Sequence, residues 1–210
     1  MRDKGLFITI EGPDGSGKST QLKKLCSFLK KRRADFVFTR EPGGTAVGER
    51  IREIVLDKNH PEMDDLTEAM LYAAQRTQHV REMILPALKE GKIVICDRFV
   101  DSSLVYQGYA RGLGEDVKTI NDMAIKGAVP DITFLIMVDP ETGRRRMKER
   151  DMDRLEQLAE DFHERVYEGY MKLAEKEPNR FFIVDGSLSP NEVFEKIKEK
   201  LVKLLGEAGI

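Results

Sequence analysis

The chain has 210 residues, of which 40% are hydrophobic and 34% are charged, which suits a packed globular core and argues against disorder. Its 35 basic and 37 acidic residues give a formal net charge of -2, and this balance argues against a protein whose main task is to bind nucleic acid. No apolar run approaches the roughly 18 residues of a membrane span, and the charged start leads straight into a strand, so we expect a cytoplasmic protein with neither a membrane nor a nucleic acid as partner.

Cysteine and histidine spacing gives no sign of a metal site. Cys26 and Cys96 lie far apart, and His60, His79 and His163 form no ligand pattern with them. The chain also lacks internal repeats, low-complexity tracts and a linker rich in Pro, Gly or Ser. We therefore predict a single domain over residues 1–210.

Short, continuous apolar runs alternate along the chain with longer amphipathic stretches, a pattern typical of alternating strands and helices. Strands are predicted at residues 6–10, 36–39, 93–96, 132–138 and 181–184. Helices are predicted at residues 18–31, 47–56, 66–90, 102–109, 117–126, 140–150, 155–175 and 191–205. Because apolar strands separated by helices form parallel sheets covered on both faces, the predicted fold class is α/β, with a five-stranded parallel sheet flanked by helices. Ligands bind such sheets at the carboxyl ends of the strands.

A phosphate-binding loop follows the first predicted strand. It reads Gly12-Pro13-Asp14-Gly15-Ser16-Gly17-Lys18-Ser19 and matches the G-x-x-x-x-G-K-[ST] pattern between a strand and a helix. The glycines let backbone N–H groups turn toward phosphate oxygens at a helix N-terminus, so the loop, with the following Thr20, is expected to bind a nucleotide. Lys18 would supply charge to the outer phosphates, and Ser19 would supply a hydroxyl ligand for Mg²⁺.

Later segments distinguish between the classes of P-loop protein. A GTP switch would normally carry an N-K-x-D segment, which the chain lacks, and a motor ATPase would normally end a strand in paired acids. The predicted strand at residues 93–96 instead ends in Asp97-Arg98, which places a guanidinium beside a carboxylate near the metal. That pair suits a second phosphate group and favours a kinase.

Several strings together resemble the thymidylate kinase family. Four strings follow the P-loop in the family's order and spacing: T-R-E-P-G-G-T at residues 39–45, Asp97-Arg98-Phe99, Ser102-Ser103 and Tyr106-Gln107-Gly108. The resemblance as a whole spans residue 7 to about residue 186. The resemblance implies a P-loop NTPase fold and transfer of the γ-phosphoryl group of ATP to thymidine monophosphate, with Mg²⁺ and usually as a homodimer. It also implies catalytic roles for Lys18, Asp97 and Arg98, with the metal near Ser19 and Asp97.

The resemblance further implies a thymidine monophosphate site. Asp14 matches an acidic residue that approaches the sugar 3′-hydroxyl, and Arg40 and Arg98 match arginines near the acceptor phosphate. Tyr72 and Arg76 are four residues apart on one helical face, and the matching family residues stack on thymine and meet the base edge. Tyr72 departs from many relatives, which have Phe, and its hydroxyl needs a partner.

A second helical face completes the expected acceptor site. Ser103, Tyr106 and Gln107 are spaced i, i+3 and i+4 and face one cleft, with Ser102 beside them. The family places a polar side chain at the Ser103 position near the base, and a ring at the Tyr106 position where it crowds a 2′-hydroxyl. We therefore expect Tyr106 to favour deoxyribose over ribose.

Thymidylate kinases carry their extra basic residue either in the P-loop or in a mobile lid that closes over ATP. The variable P-loop positions here are not basic, whereas residues 144–154 are rich in Arg, so the chain resembles the lid design, with a lid at about residues 141–155. In a helix, Arg146, Arg150 and Arg154 would line one face. One of them, in the order of preference Arg150, Arg154 and Arg146, is expected to stabilise the transferring phosphoryl group, and Arg146 to bind ATP.

Two alternatives stay open at this point. Another small P-loop kinase could act on a deoxynucleoside or a different monophosphate, although a neutral hydroxyl acceptor would need a carboxylate base and this cleft is rich in arginine. A module that binds ATP without turnover would be expected to have a damaged catalytic set, whereas Lys18, Ser19, Asp97 and Arg98 are all present.

Overall fold

The computed structural model describes residues 5–147 and 153–208. Its sheet has five strands, which are β1 (Leu6–Glu11), β2 (Phe36–Arg40), β3 (Ile93–Asp97), β4 (Ile132–Met137) and β5 (Phe181–Asp185). The strand order is β2-β3-β1-β4-β5, and every neighbouring pair is parallel. The predicted fold class is therefore confirmed.

The centre of the sheet is apolar because helices cover both of its faces. All six residues of β1 and all six of β4 are buried, which explains why both strands are mostly apolar. The chain passes from β1 to β2 and β3 on one side and then crosses to β4 on the other. Strand order thus reverses at β1, so the expected ligand crevice lies at the carboxyl end of that strand.

Helices occupy most of the connections between the strands. They are α1 (Lys18–Lys31), α2 (Ala46–Leu56), α3 (Asp65–His79), α4 (Leu85–Lys89), α5 (Val100–Ser103), α6 (Glu115–Ile125), α7 (Pro140–Met147), α8 (Glu160–Lys176) and α9 (Pro190–Ala208). Two π-helical segments, Val80–Ile84 and Leu104–Ala110, continue α3 into α4 and extend α5. In the described part of the chain, no helix combines the length and the apolar character needed to cross a membrane.

Three helix predictions need correction. The predicted helix at residues 66–90 is interrupted by a π-helical turn, and the one at 102–109 begins at Val100 and is π-helical from Leu104, because apolar periodicity carries no signal for an inserted π turn. The predicted helix at 155–175 begins only at Glu160. Asp153 explains the delay, since its carboxylate accepts hydrogen bonds from the backbone N–H groups of Leu155 at 2.9 Å and Glu156 at 3.0 Å and so holds a turn there.

The predicted lid is described only in part. Residues 140–147 form α7, and residues 154–157 form turns, while residues 148–152 lie outside the described residues. The lid itself, like the single-domain organisation, stays a prediction.

Candidate active site

A cavity of about 480 Å³ opens beside the carboxyl ends of β1 and β3. The structure brings sixteen of the predicted site residues into its lining, namely Asp14, Gly15, Gly17, Lys18, Ser19, Thr20, Arg40, Tyr72, Arg76, Asp97, Arg98, Ser102, Ser103, Tyr106, Gln107 and Arg146. Gly12, Pro13 and Ser16 complete the P-loop behind this surface and do not line the cavity.

The P-loop needs glycine at positions where the backbone turns sharply or passes close to other atoms. Gly12 has a φ of 141°, and a Cβ there would lie 2.1 Å from the carbonyl oxygen of Ile136. Gly15 has a φ of 77°, and its Cβ would lie 2.3 Å from the carbonyl oxygen of Gly143. Helix α1 then begins at Lys18 with no acidic residue in its first turn. Its N-terminus is therefore suited to an anionic ligand.

Lys18 is held against the P-loop. Its ammonium donates to the carbonyl oxygens of Gly12 at 2.9 Å and Pro13 at 2.8 Å. Burial, assisted by the positive charge of Arg98, lowers the pKa of Lys18 to about 8, although nearby carboxylates oppose the shift. A ligand with several negative charges would favour the protonated form.

Asp14 lines the cavity and accepts two hydrogen bonds from neighbouring side chains. Arg98 Nη2 donates to Asp14 Oδ1 at 2.6 Å, and the Tyr106 hydroxyl donates to Asp14 Oδ2 at 2.8 Å. Burial alone would raise the pKa of Asp14, but the charges of Arg98 and Lys18 together with these hydrogen bonds hold that pKa well below its usual range. Asp14 therefore stays ionised.

Arg98 is strained in its backbone and densely bonded in its side chain. Its φ of 62° lies in the left-handed region, which costs free energy for a residue with a Cβ. Besides Asp14, its guanidinium donates to Ser102 Oγ at 3.0 Å, to the Tyr170 hydroxyl at 3.1 Å and to the Tyr106 hydroxyl at 3.3 Å. These bonds aim the planar donor group into the cavity.

Arg76 is only 1% exposed and uses four of its five N–H donors within the protein. Its Nε donates to Glu41 at 2.7 Å, Nη1 to Ser103 Oγ at 2.9 Å and Nη2 to the carbonyl oxygen of Phe99 at 3.1 Å. Nη1 also donates to Asn121. The guanidinium therefore links α3 to α5 and α6 at the floor of the cavity.

The remaining acceptor-site candidates have different surroundings. Arg40 is partly exposed and pairs with Glu49 at 2.8 Å, while its Nε is buried without a hydrogen-bond partner among the described residues. Tyr72 is buried, which raises the pKa of its hydroxyl well above the usual range. The Gln107 amide donates to the fully buried Glu68 at 2.7 Å.

Asp97 and Ser19 lie on the P-loop side of the cavity. Ser19 is exposed in the first turn of α1, and Asp97 ends β3. Asp97 Oδ1 is buried and has no hydrogen-bond partner among the described residues. A carboxylate oxygen of this kind fits the oxygen-rich surroundings that Mg²⁺ prefers, so these residues are compatible with the expected metal.

The three arginines of the predicted lid differ in position. Arg146 lines the cavity, and its Nη1 donates to the carbonyl oxygen of Gly186 at 3.0 Å. Arg150 lies outside the described residues. Arg154 does not line the cavity, because its guanidinium is buried against Glu68 and its Nε donates to the carbonyl oxygen of Val55 at 3.1 Å. Its proposed role at the transferred phosphoryl group stays a prediction.

The family model described as thymidylate kinase matches residues 10–197 of the chain. The chain belongs to the thymidylate kinase family. The thymidylate kinase of Clostridium novyi (strain NT) is 49% identical over 200 residues, which cover 93% of this chain and 98% of that protein. The thymidylate kinase of Geobacillus sp. (strain WCH70) is 50% identical over 195 residues, covering 91% and 93%. The crystal structure of thymidylate kinase from Ehrlichia chaffeensis is similar, with a TM-score of 0.78 and 35% identity over 94% of this chain and 98% of that one.

Within this thymidylate kinase fold, several residues at the site were missed by sequence reasoning. Arg52 and Phe99 line the cavity, and Tyr170 of α8 accepts a hydrogen bond from Arg98 without lining the cavity itself. Glu11 lies beneath Arg98 and is completely buried. Glu11 could have been found from the sequence, since it is the only acidic residue of β1 and directly precedes the P-loop. Tyr170 could not, because its partners are remote in sequence.

Proposed function

We propose that the chain transfers the γ-phosphoryl group of ATP to thymidine monophosphate and so forms thymidine diphosphate for dTTP synthesis. The observation that carries the proposal is the juxtaposition of P-loop Lys18, Asp14 and Arg98 in one cavity, in a chain of the thymidylate kinase family. Donor and acceptor phosphates would meet there, because Arg98 follows β3 while the P-loop follows the neighbouring β1.

ATP would bind on the P-loop side. Backbone N–H groups of residues 14–17 and of the first turn of α1 would donate hydrogen bonds to its phosphate oxygens. Thr20 would lie at the edge of the site and Arg146 beside the loop. Lys18 would leave the carbonyl oxygens of Gly12 and Pro13 for the outer phosphates. The resident Mg²⁺ would be held by Ser19 and, directly or through water, by Asp97, and it would neutralise phosphate charge.

Thymidine monophosphate would bind on the β3 side. Arg40 and Arg98 would hold its phosphate, and Asp14 would accept a hydrogen bond from the sugar 3′-hydroxyl. Tyr72 would stack on thymine, while Arg76, Ser103 and Gln107 would meet the polar edges of the base and Ser102 would support Arg98. Tyr106 would close the space beside C2′ of the sugar.

The chemical step needs alignment more than proton transfer. An acceptor phosphate oxygen, already ionised at neutral pH, forms a bond to the γ-phosphorus as the bond from that phosphorus to the β,γ-bridging oxygen breaks, and ADP leaves with the electron pair. Lys18 and Arg98 stabilise the charge during transfer, with Asp97 beside them. Arg150 keeps its proposed role over the γ-phosphoryl group. Arg154 would take part only after leaving Glu68.

We also propose a homodimer. Exposed apolar side chains lie on three adjacent helices, at Val47 and Ile54 of α2, Leu66 and Met70 of α3, and Met123 of α6. The Met123 side chain is 76% exposed. Exposed apolar side chains on neighbouring helices suit a subunit interface. Sedimentation of the wild type as a dimer, and of Met70→Glu and Met123→Glu variants as monomers, is the expected result. A monomeric wild type would contradict it.

The reaction itself is tested by following ADP formation with ATP, Mg²⁺ and a panel of nucleoside monophosphates. Turnover largely confined to thymidine monophosphate is expected. Preferred turnover of another monophosphate would contradict the acceptor assignment. The cytoplasmic location proposed for the reaction is tested by cell fractionation.

A further inference from the structure

Glu11 is a completely buried carboxylate at the last position of β1, directly before the P-loop. Its Oε1 accepts hydrogen bonds from the backbone N–H groups of Phe99 at 2.7 Å and Ser102 at 3.3 Å. Its Oε2 accepts from Ser102 Oγ at 2.7 Å and from the Tyr170 hydroxyl at 2.8 Å. One side chain thus holds Phe99 in the turn after β3, Ser102 of α5 and Tyr170 of α8.

The turn that Glu11 holds contains the strained backbone of Arg98. The Arg98 N–H donates to the carbonyl oxygen of Ile10 at 3.0 Å, and the next N–H, that of Phe99, donates to Glu11. The left-handed φ of Arg98 persists only where neighbouring interactions fix it. Two consecutive N–H groups anchored to the end of β1 provide that fixation.

Glu11 also shapes the surroundings of the Arg98 guanidinium. The two charges lie 3.9 Å apart, from Arg98 Nη1 to Glu11 Oε2, and the Ser102 and Tyr170 hydroxyls that contact Glu11 also accept hydrogen bonds from Arg98. Arg98 is therefore bounded by two carboxylates, Asp14 toward the cavity and Glu11 away from it. The Asp14 side can exchange partners with a bound substrate, whereas the Glu11 side is closed to solvent.

Burying this carboxylate is costly in free energy. Desolvation and the nearby charge of Asp101 raise the pKa of Glu11, against the opposing effect of Arg98. Buried ion pairs are in general weak sources of stability, since desolvation offsets their attraction. The cost at this position is better explained by geometric control of Arg98 than by stability of the fold.

We propose that Glu11 is a positioning residue for the acceptor phosphate, which acts by fixing the turn after β3 and the direction of the Arg98 guanidinium and does not itself touch substrate. The inference rests on the proposed function, since it takes Arg98 as a ligand of the phosphate of thymidine monophosphate. The ATP site is built from other residues of the P-loop, so the effect of Glu11 is specific to the acceptor.

The test compares Glu11→Gln with Asp101→Asn in steady-state kinetics and thermal unfolding. Glu11→Gln keeps the shape and one carbonyl acceptor but removes the charge behind Arg98. Asp101→Asn is a matched control, because Asp101 is also completely buried and bonded to a guanidinium, that of Arg180. Glu11→Gln is expected to raise KM for thymidine monophosphate by roughly tenfold or more, with KM for ATP within about twofold of the wild type.

Asp101→Asn is expected to lower the melting temperature while changing KM for thymidine monophosphate by less than about threefold. Tyr170→Phe serves as a second variant, because it deletes one donor to Glu11 and one acceptor of Arg98. It is expected to raise KM for thymidine monophosphate less than Glu11→Gln does and to leave KM for ATP unchanged. Its kinetics test the inference even if Glu11→Gln does not fold.

Three results would overturn the inference. The first is a rise of KM for ATP together with KM for thymidine monophosphate in Glu11→Gln and Tyr170→Phe. The second is a rise of KM for thymidine monophosphate in Asp101→Asn as large as that in Glu11→Gln. The third is an unchanged KM for thymidine monophosphate in both Glu11→Gln and Tyr170→Phe. A wild-type protein without turnover of thymidine monophosphate would instead overturn the proposed function, and this role of Glu11 with it.

Discussion

Arg76 donates through Nε to Glu41 Oε2 at 2.7 Å, and the two side chains are 1% and 2% exposed. Glu41 uses its other oxygen to contact His79 Nδ1 at 2.8 Å, and His79 Nε2 lies 2.7 Å from Thr39 Oγ1. The T-R-E-P-G-G-T segment is thereby bonded to α3 through a buried polar chain. The position of Arg76 at the cavity depends on this chain.

Glu41→Gln should therefore destabilise the fold strongly. It keeps the shape of the side chain but leaves the Arg76 cation buried without its counter-charge, which costs about 3 kcal/mol. Urea unfolding measures the loss. Glu53→Gln is the control, since the Arg50–Glu53 pair is exposed and its loss should cost less than about 1 kcal/mol. Equal losses in the two variants would contradict the importance of the buried pair.

Asp14 should contribute to the acid dependence of stability. Because its folded-state pKa is depressed below the ordinary value of 3.8, its contribution is present above that value and is lost as pH falls through the folded-state pKa. The free energy of unfolding of Asp14→Asn should thus fall less steeply below about pH 4 than that of the wild type. Glu207→Gln, on the exposed end of α9, should keep the wild-type slope. An unchanged slope in Asp14→Asn would disprove the depressed pKa.

Deprotonation of Lys18 should lower kcat/KM for ATP at alkaline pH. Its pKa of about 8 means that the charged form declines above that pH, so kcat/KM for ATP should fall about tenfold per pH unit there. The charge of bound ATP raises the pKa, so kcat at saturating ATP should persist to higher pH. A value of kcat/KM that stays constant to about pH 9.5 would rule out this titration.

Tyr106 should determine the preference for deoxyribose. Tyr106→Ala opens the space beside its ring and should lower the ratio of kcat/KM for thymidine monophosphate over its ribose analogue by roughly tenfold. Tyr106→Phe keeps the ring and loses only the hydrogen bonds of the hydroxyl with Asp14 and Arg98, so it should preserve the ratio. If Tyr106→Ala retains the wild-type ratio, the hypothesis is abandoned.

Local patterns predicted the parts of the site that depend on short stretches of chain. The P-loop around Lys18 is such a stretch, because its glycines, strand and helix are adjacent in sequence, and the five apolar strands were likewise visible as continuous runs. The position of Arg98 at the carboxyl end of β3 followed from the parallel sheet alone.

Long-range contacts could not be predicted in this way. The bond between Glu11 and Tyr170, and the pairing of Arg154 with Glu68, join residues that only the folded chain brings together. Four-residue spacing places Arg154 on the face of Arg146 only in a continuous helix, whereas residues 154–157 form turns and Arg154 is buried. Spacing identified candidates there, and tertiary contacts decided their positions.

Phosphoryl transfer to thymidine monophosphate can be followed directly by supplying ATP labelled in its γ-phosphate and identifying the labelled product, with Lys18→Ala and Arg98→Ala in parallel. For the wild type we expect label in the β-phosphate of thymidine diphosphate, and for both variants a large loss of this product. Label released as inorganic phosphate, or carried mainly by a different acceptor, would contradict transfer to thymidine monophosphate.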